Sequence, residues 1–229
     1  MGQTAPPTET RKVVTVLFAD VTGSTAIGHD LDPESFRHLM TRYFHEMRTV
    51  LQRHGGAVEK FIGDAVMGVF GVPRLHEDDA LRAVRAAVDM REALRGLNEE
   101  FERIWGIRIV IRIGVNTGEV VAGDAAQGES FIAGDAVNVA ARLEQNADPG
   151  DILVGEATYA LVRDAVVAES AGPLTVKGKV EPLAAWRVMD VVPGAPGWAR
   201  HLDSPLVGRD RELRVLDKTF QRTLRRRTC

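Results

Sequence analysis

The spacing of apolar residues changes period several times in the first half of the chain, and the order of those changes limits the folds open to it. Val13–Ala19 is a strand-favouring run, apolar but for Thr15, that stops on Asp20, the pattern of a buried strand leaving the core. Asp32-Pro33-Glu34 follows as a helix start, with an N-cap acid, proline at the first helical position and a carboxylate in the first turn. Behind it Phe36, Leu39, Met40, Tyr43, Phe44, Met47, Val50 and Leu51 keep the three-and-four spacing of one apolar face, and Gly55-Gly56 ends the helix. Residues 58–71 (VEKFIGDAVMGVFG) read as a hairpin around a two-residue Gly63-Asp64 turn. A second long helix is predicted over 76–101, with Leu81, Val84 and Val88 on one face, and 107–123 predicts two strands around Asn116–Gly118. The order is β-α-β-β-α-β. It predicts an α+β, ferredoxin-like core in which helices pack on one face of a mostly antiparallel sheet, with further strands and helices added C-terminally.

The added part starts with a helix over 134–150, capped by Asp135 and stopped by Pro149-Gly150. Short strands and one helix near 156–163 lead to Val191. Residues 1–10 are Pro/Thr-rich and predict a flexible arm, while 192–205 (VPGAPGWARHLDSP) predict a linker. That leaves 11–191 as the main domain and 206–229 as a tail. With 229 residues, a net charge of −3 and a pI near 6.1, the chain offers no basic field for general nucleic-acid binding. Its single cysteine, Cys229, allows no internal disulfide, and no apolar run reaches membrane-span length. The expectation is a cytoplasmic protein with neither nucleic acid nor membrane as partner.

Two carboxylates carry the chemistry. Asp20 closes the first strand, and Asp64 sits at the tip of the 58–71 hairpin. If that strand pairs with the hairpin, both acids arrive at one sheet edge, where they repel unless a cation lies between them. Mg²⁺ or Mn²⁺ suits a carboxylate pair that leaves coordination positions open for phosphate oxygens. Asp64 is equally at home as an ordinary turn residue. Thr22, Gly23, Ser24 and Thr25 after Asp20 offer small side chains and open main chain for a phosphate group. The Gly23–Gly28 spacing is that of a P-loop, but His29-Asp30 stands where Lys-Ser/Thr is required, so that motif fails. Asn138 and Arg142, four apart, share the polar face of the 134–150 helix, while Val139 and Leu143 face inward. Such a pair either meets a phosphate and sugar or is a solvated helix face. Lys177 and Lys179 flank a glycine, as a phosphate clamp or an exposed turn would.

Together the stretches LFADVTGST, VEKFIGDAVMGVF, RIGVNTGEVVAGD, GDAVNVAARLE and LTVKGK resemble the class III nucleotidyl cyclases, the adenylyl and guanylyl cyclase catalytic domain. They occur in the family's order over about residues 11–191, with Asp20 and Asp64 44 positions apart. The resemblance implies conversion of ATP into 3′,5′-cyclic AMP and pyrophosphate, with two Mg²⁺ or Mn²⁺ ions on Asp20 and Asp64. It also implies that Lys60 reads the purine edge, Asn138 orients the ribose, Arg142 stabilises the pentacovalent phosphate and Lys177 holds the terminal phosphates. It implies a head-to-tail homodimer in which opposite subunits supply the metal carboxylates and the Asn/Arg pair to each shared site.

One position departs from the pattern. Phe131 stands where adenylyl cyclases carry an acceptor for the adenine amino group, and a phenyl ring accepts no such bond. GTP therefore stays open as the substrate, although Lys60 is the adenylyl-type residue. A regulatory or dimerisation module of the same fold is the alternative from another class. Residues 204–213 (SPLVGRDREL) resemble the opening of an ATPase module of the kind fused to such domains in bacterial signalling regulators, and the chain stops before any Walker A motif.

Overall fold

The structure, a computed structural model, describes residues 10–123, 132–174, 182–196 and 210–226. The first strand, β1 (Thr10–Val21), alternates so that Val14, Val16 and Phe18 face one side and Leu17, Ala19 and Val21 the other, all buried. Both faces of this strand are apolar, so both need cover. On the side of Leu17, Ala19 and Val21 lie α2 (Pro33–Arg53) and α3 (Asp79–Trp105), bringing Tyr43, Met47, Val84 and Phe101 into the larger core. On the other side α4 (Asp135–Asn146) lays Ala136 and Ala140 against Val14, Val16 and Phe18. The expectation of helices on one face is corrected: the sheet is covered on both.

The hairpin forms as predicted from β2 (Ala57–Ile62) and β3 (Ala65–Phe70), with Gly63 and Asp64 between them and Gly63 at φ 63°. Among the described residues, β2, β3, β1, β4 (Ile111–Ala122), β6 (Ile152–Gly155), β8 (Leu183–Val191) and β7 (Val166–Leu174) lie side by side in that order. The short β5 (Ile132–Ala133) pairs with β4. All these pairs are antiparallel except β4 with β6.

Three local expectations are corrected. Residues 111–122 form one strand rather than two around Asn116–Gly118. These turn-type residues serve packing instead. Thr117 joins Thr15 and Thr158 in a buried hydroxyl chain with 2.9 and 3.0 Å links. Asn116 donates to the Ala136 carbonyl at 3.4 Å, and Gly118 lets Ala136 approach. Gly134, rather than Asp135, is the N-cap residue of α4, and Asp135 lies in its first turn. The stretch after Asp20 is not all turn, because α1 (Ser24–Asp30) begins straight after Gly23, which sits at φ 73°.

α5 (Glu156–Val162) forms close to its predicted place. The structure separates residues 1–199 from a second unit, 200–229. Within the second, α6 (Asp210–Arg226) exposes Leu213, Leu216 and Phe220. No described helix is long and apolar enough to cross a membrane.

Candidate active site

Strand register builds the site. β1 pairs with β3 up to Ala19 opposite Val66, so one step further Asp20 comes level with the hairpin turn that carries Asp64. The two carboxylates meet at one sheet edge, as their positions in the sequence implied. Asp20 is held above the usual carboxylate range by burial first and by the charge of Asp64 second, with Arg112 pulling it back. Among the described residues no three His, Cys, Asp or Glu side chains are placed to hold a metal ion together, so the candidate metal donors are these two acids. A pair of carboxylates suits a hard ion that keeps most of its positions for water and phosphate.

Two hydroxyls near these acids are buried without a partner, Thr22 Oγ1 and Tyr43 Oη. Tyr43 is fully buried on α2, and its phenol is pushed up by burial, then by the charges of Asp20, Asp64 and Glu144. Thr22 Oγ1, two residues past Asp20, is an orphaned hydroxyl of the kind that a hydrated ion would complete, whereas Tyr43 belongs to the core on the α2 side of the sheet. The donor set fits a divalent cation.

The sequence reading missed the cation that the site already holds. Arg112 lies directly opposite Asp20 in the β1–β4 register, and its Nη2 donates to Asp20 Oδ2 at 3.0 Å. Its Nε lies 2.6 Å from Glu144 Oε1, a close charge contact without hydrogen-bond geometry. Burial raises Glu144 to about 7, with Arg112 pulling down and the Asp20 charge pushing further up. Burial works against the charge of Arg112, yet Glu144 and Asp20 outweigh it and hold its pKa above the ordinary value. The signals were present: Arg108, Val110 and Arg112 alternate with Ile107, Ile109 and Ile111, and Glu144 continues the inward stripe of Ala136 and Ala140.

α4 can reach this network because Gly114 has no side chain. A Cβ there would stand 2.2 Å from Glu144 N and 2.3 Å from Ala140 O. At about 100° per residue, Asn138 and Arg142 project from the opposite side of α4 from Ala140 and Leu143. Asn138 is exposed, and Arg142 Nη1 donates to Gln145 Oε1 at 3.1 Å. The fold brings Asp20 and Asp64 together and directs Asn138 and Arg142 away from them.

Lys60 is exposed on the edge strand β2, opposite Met67 and just past a bulge. Nothing lies within 4 Å of where a Gly23 Cβ would be, so the main chain there is open, with Ser24 and Thr25 beginning α1. Ser24, Thr25, His29, Arg37, Phe44 and Asp64 line a cavity of about 630 Å³. Another, of about 660 Å³, lies against Val13, Leu75 and Asp79 at the far end of β1, away from the carboxylate pair. Phe131 and Lys177 lie outside the described residues.

A mixed sheet covered on both faces, with paired acids where β1 meets a hairpin turn, defines an α+β fold of the nucleotidyl cyclase type. Residues 7–189 match the family described as the adenylate and guanylate cyclase catalytic domain, and the chain belongs to that family. It is 33% identical over 166 residues to an adenylate cyclase of Mycobacterium tuberculosis, matching 72% of this chain and 37% of that protein. This chain thus aligns with well under half the length of that relative. The adenylyl cyclase CyaB of P. aeruginosa superimposes with a TM-score of 0.77 at 33% identity, covering 82% of this chain and 100% of that one. The guanylyl cyclase Cya2 gives 0.75 at 31% identity, covering 81% and 96%.

Proposed function

We propose that the protein is an adenylyl cyclase that converts ATP to 3′,5′-cyclic AMP and pyrophosphate. The observation that carries this reading is the meeting of Asp20 and Asp64 at one sheet edge beside the open main chain of Gly23. In the reaction the ribose 3′-oxygen loses its proton and bonds to the α-phosphorus, while the bond from that phosphorus to the β-phosphate bridge breaks. Two Mg²⁺ or Mn²⁺ ions, when bound, would lower the pKa of the 3′-hydroxyl and neutralise the triphosphate.

Asp20 and Asp64 hold the site negative and face its cations. Thr22, Gly23, Ser24 and Thr25 lie against the phosphates. Lys60, on the same sheet face as α4, binds the purine edge. Lys177 takes the terminal phosphates and Phe131 borders the base, both on the strength of the family pattern.

Asn138 and Arg142 face away from the carboxylates of their own chain. They therefore act in a site completed by a second copy, Asn138 on the ribose and Arg142 on the charge that develops at the α-phosphorus. A head-to-tail homodimer has two such sites, and a monomer is inactive. Residues 206–229 begin a regulatory module, with 192–205 as its linker.

The test is a product assay with ATP and with GTP in Mn²⁺, over a range of protein concentrations. Cyclic AMP from ATP, at a specific activity that falls on dilution, is expected. Cyclic GMP from GTP as the main product would reassign the base and leave the chemistry in place. Nucleotide binding without turnover under every condition would leave a regulatory module.

A further inference from the structure

We propose that Arg112 is the resident cation of the Asp20–Asp64 site in the metal-free protein, and that Glu144 is the anchor that keeps it at hand when a divalent ion takes Asp20. The inference rests on Asp20 and Asp64 being the metal ligands.

Three carboxylates, Asp20, Asp64 and Glu144, act on this region, and the guanidinium of Arg112 reaches two of them at once. A guanidinium presents donors along two edges, so one arginine can span two acids as a lysine cannot. Nη2 takes Asp20, Nε faces Glu144, and Nη1 lies 3.5 Å from the Gln145 carbonyl. Without a metal, the guanidinium supplies the positive charge that two neighbouring aspartates require. A divalent ion therefore enters by exchange, and Arg112 must release Asp20.

Glu144 cannot follow the arginine outward. It is 5% exposed and belongs to a helix docked on β4 through Gly114 with no room for a methyl group. It receives the released guanidinium inside the site. Without Glu144, Arg112 has only Asp20 to pair with and competes harder against the ion. Glu144 is thus a positioning residue that acts on metal binding through Arg112.

A double-mutant cycle on Mn²⁺ binding, read by electron paramagnetic resonance of free Mn²⁺ without nucleotide, tests this. Arg112→Gln is expected to tighten Mn²⁺ roughly five- to tenfold, and Glu144→Gln to weaken it by a similar factor. In the Arg112→Gln background, Glu144→Gln should change the affinity no more than about twofold. Equal weakening in both backgrounds would show that the ion feels the Glu144 charge directly, and would overturn the proposal. So would Arg112→Gln with unchanged or weaker binding. Circular dichroism checks folding; if Arg112→Gln does not fold, Arg112→Lys takes its place in the cycle, because lysine cannot bridge both acids. Asp20→Asn and Asp64→Asn are run alongside. If neither reduces Mn²⁺ binding, the metal assignment itself fails, a result distinct from a cycle without coupling.

Discussion

Replacing Gly114 with alanine should damage both stability and catalysis, because one missing methyl group sets the depth at which α4 lies on the sheet. The added Cβ would stand 2.2 Å from Glu144 N and 2.3 Å from Ala140 O, and both are main-chain atoms that cannot rotate away. Ordinary contact begins near 3.4 Å, so α4 must retreat by about 1.2 Å. That retreat loosens Val139, Ala140 and Leu143, the buried side chains of α4 itself. Overpacking of this kind costs about 2–3 kcal/mol, the upper part of its usual range. In a domain of this size that corresponds to roughly 5–10 °C in Tm. The same displacement carries Asn138, Arg142 and Glu144 with it, and an error of about 1 Å in a positioning group can cost about 100-fold in rate. Thermal melting and cyclic-nucleotide production on the same protein measure the two effects. A Gly114→Ala protein that melts within about 1 °C of wild type and keeps its full rate would refute this account of the α4 contact.

Asp64→Asn should keep the fold and lower cyclase activity by about two orders of magnitude or more, measured as cyclic nucleotide formed in saturating Mn²⁺. Retained activity would return Asp64 to the role of a turn residue. In metal-free buffer the wild type should lose stability relative to Glu144→Gln as pH rises from the ordinary 4.5 to about 7. The folded carboxyl binds its proton more tightly than the unfolded one, so the penalty is absent below that window and complete above it. Melting curves that stay parallel over the window would contradict the raised pKa. Asp32→Ala removes the acceptor for the Glu34 and Ser35 amides at the start of α2. It should cost about 1 kcal/mol in thermal melting and leave the rate unchanged; a lost rate would mean that α2 steers the site.

Much of this was legible because local chemistry and tertiary demand agreed. The Asp32-Pro33 start, the apolar face from Leu39 to Leu51 and the Gly63-Asp64 turn each follow from one local rule, and each forms. The meeting of Asp20 with Asp64 needed only the guess that β1 pairs with β3, which it does. Where reading failed, a residue served a contact distant in sequence. Asn116, Thr117 and Gly118 look like a turn, but they hold α4 and α5 from mid-strand. Arg112 and Glu144 were not singled out, because their pairing depends on register and on Gly114 together. Cover on the second sheet face was missed because Ala136 and Ala140 bury little area each and read as filler.

The central claim is that one chain's Asp20 and Asp64 work with another chain's Asn138 and Arg142. Mixing two inactive proteins, Asp20→Asn and Arg142→Ala, tests it most directly. Random exchange makes half of the dimers mixed, and each mixed dimer contains one site with every group intact, so about a quarter of wild-type activity should return. A mixture that has demonstrably exchanged subunits and is no more active than its separate components would contradict the claim.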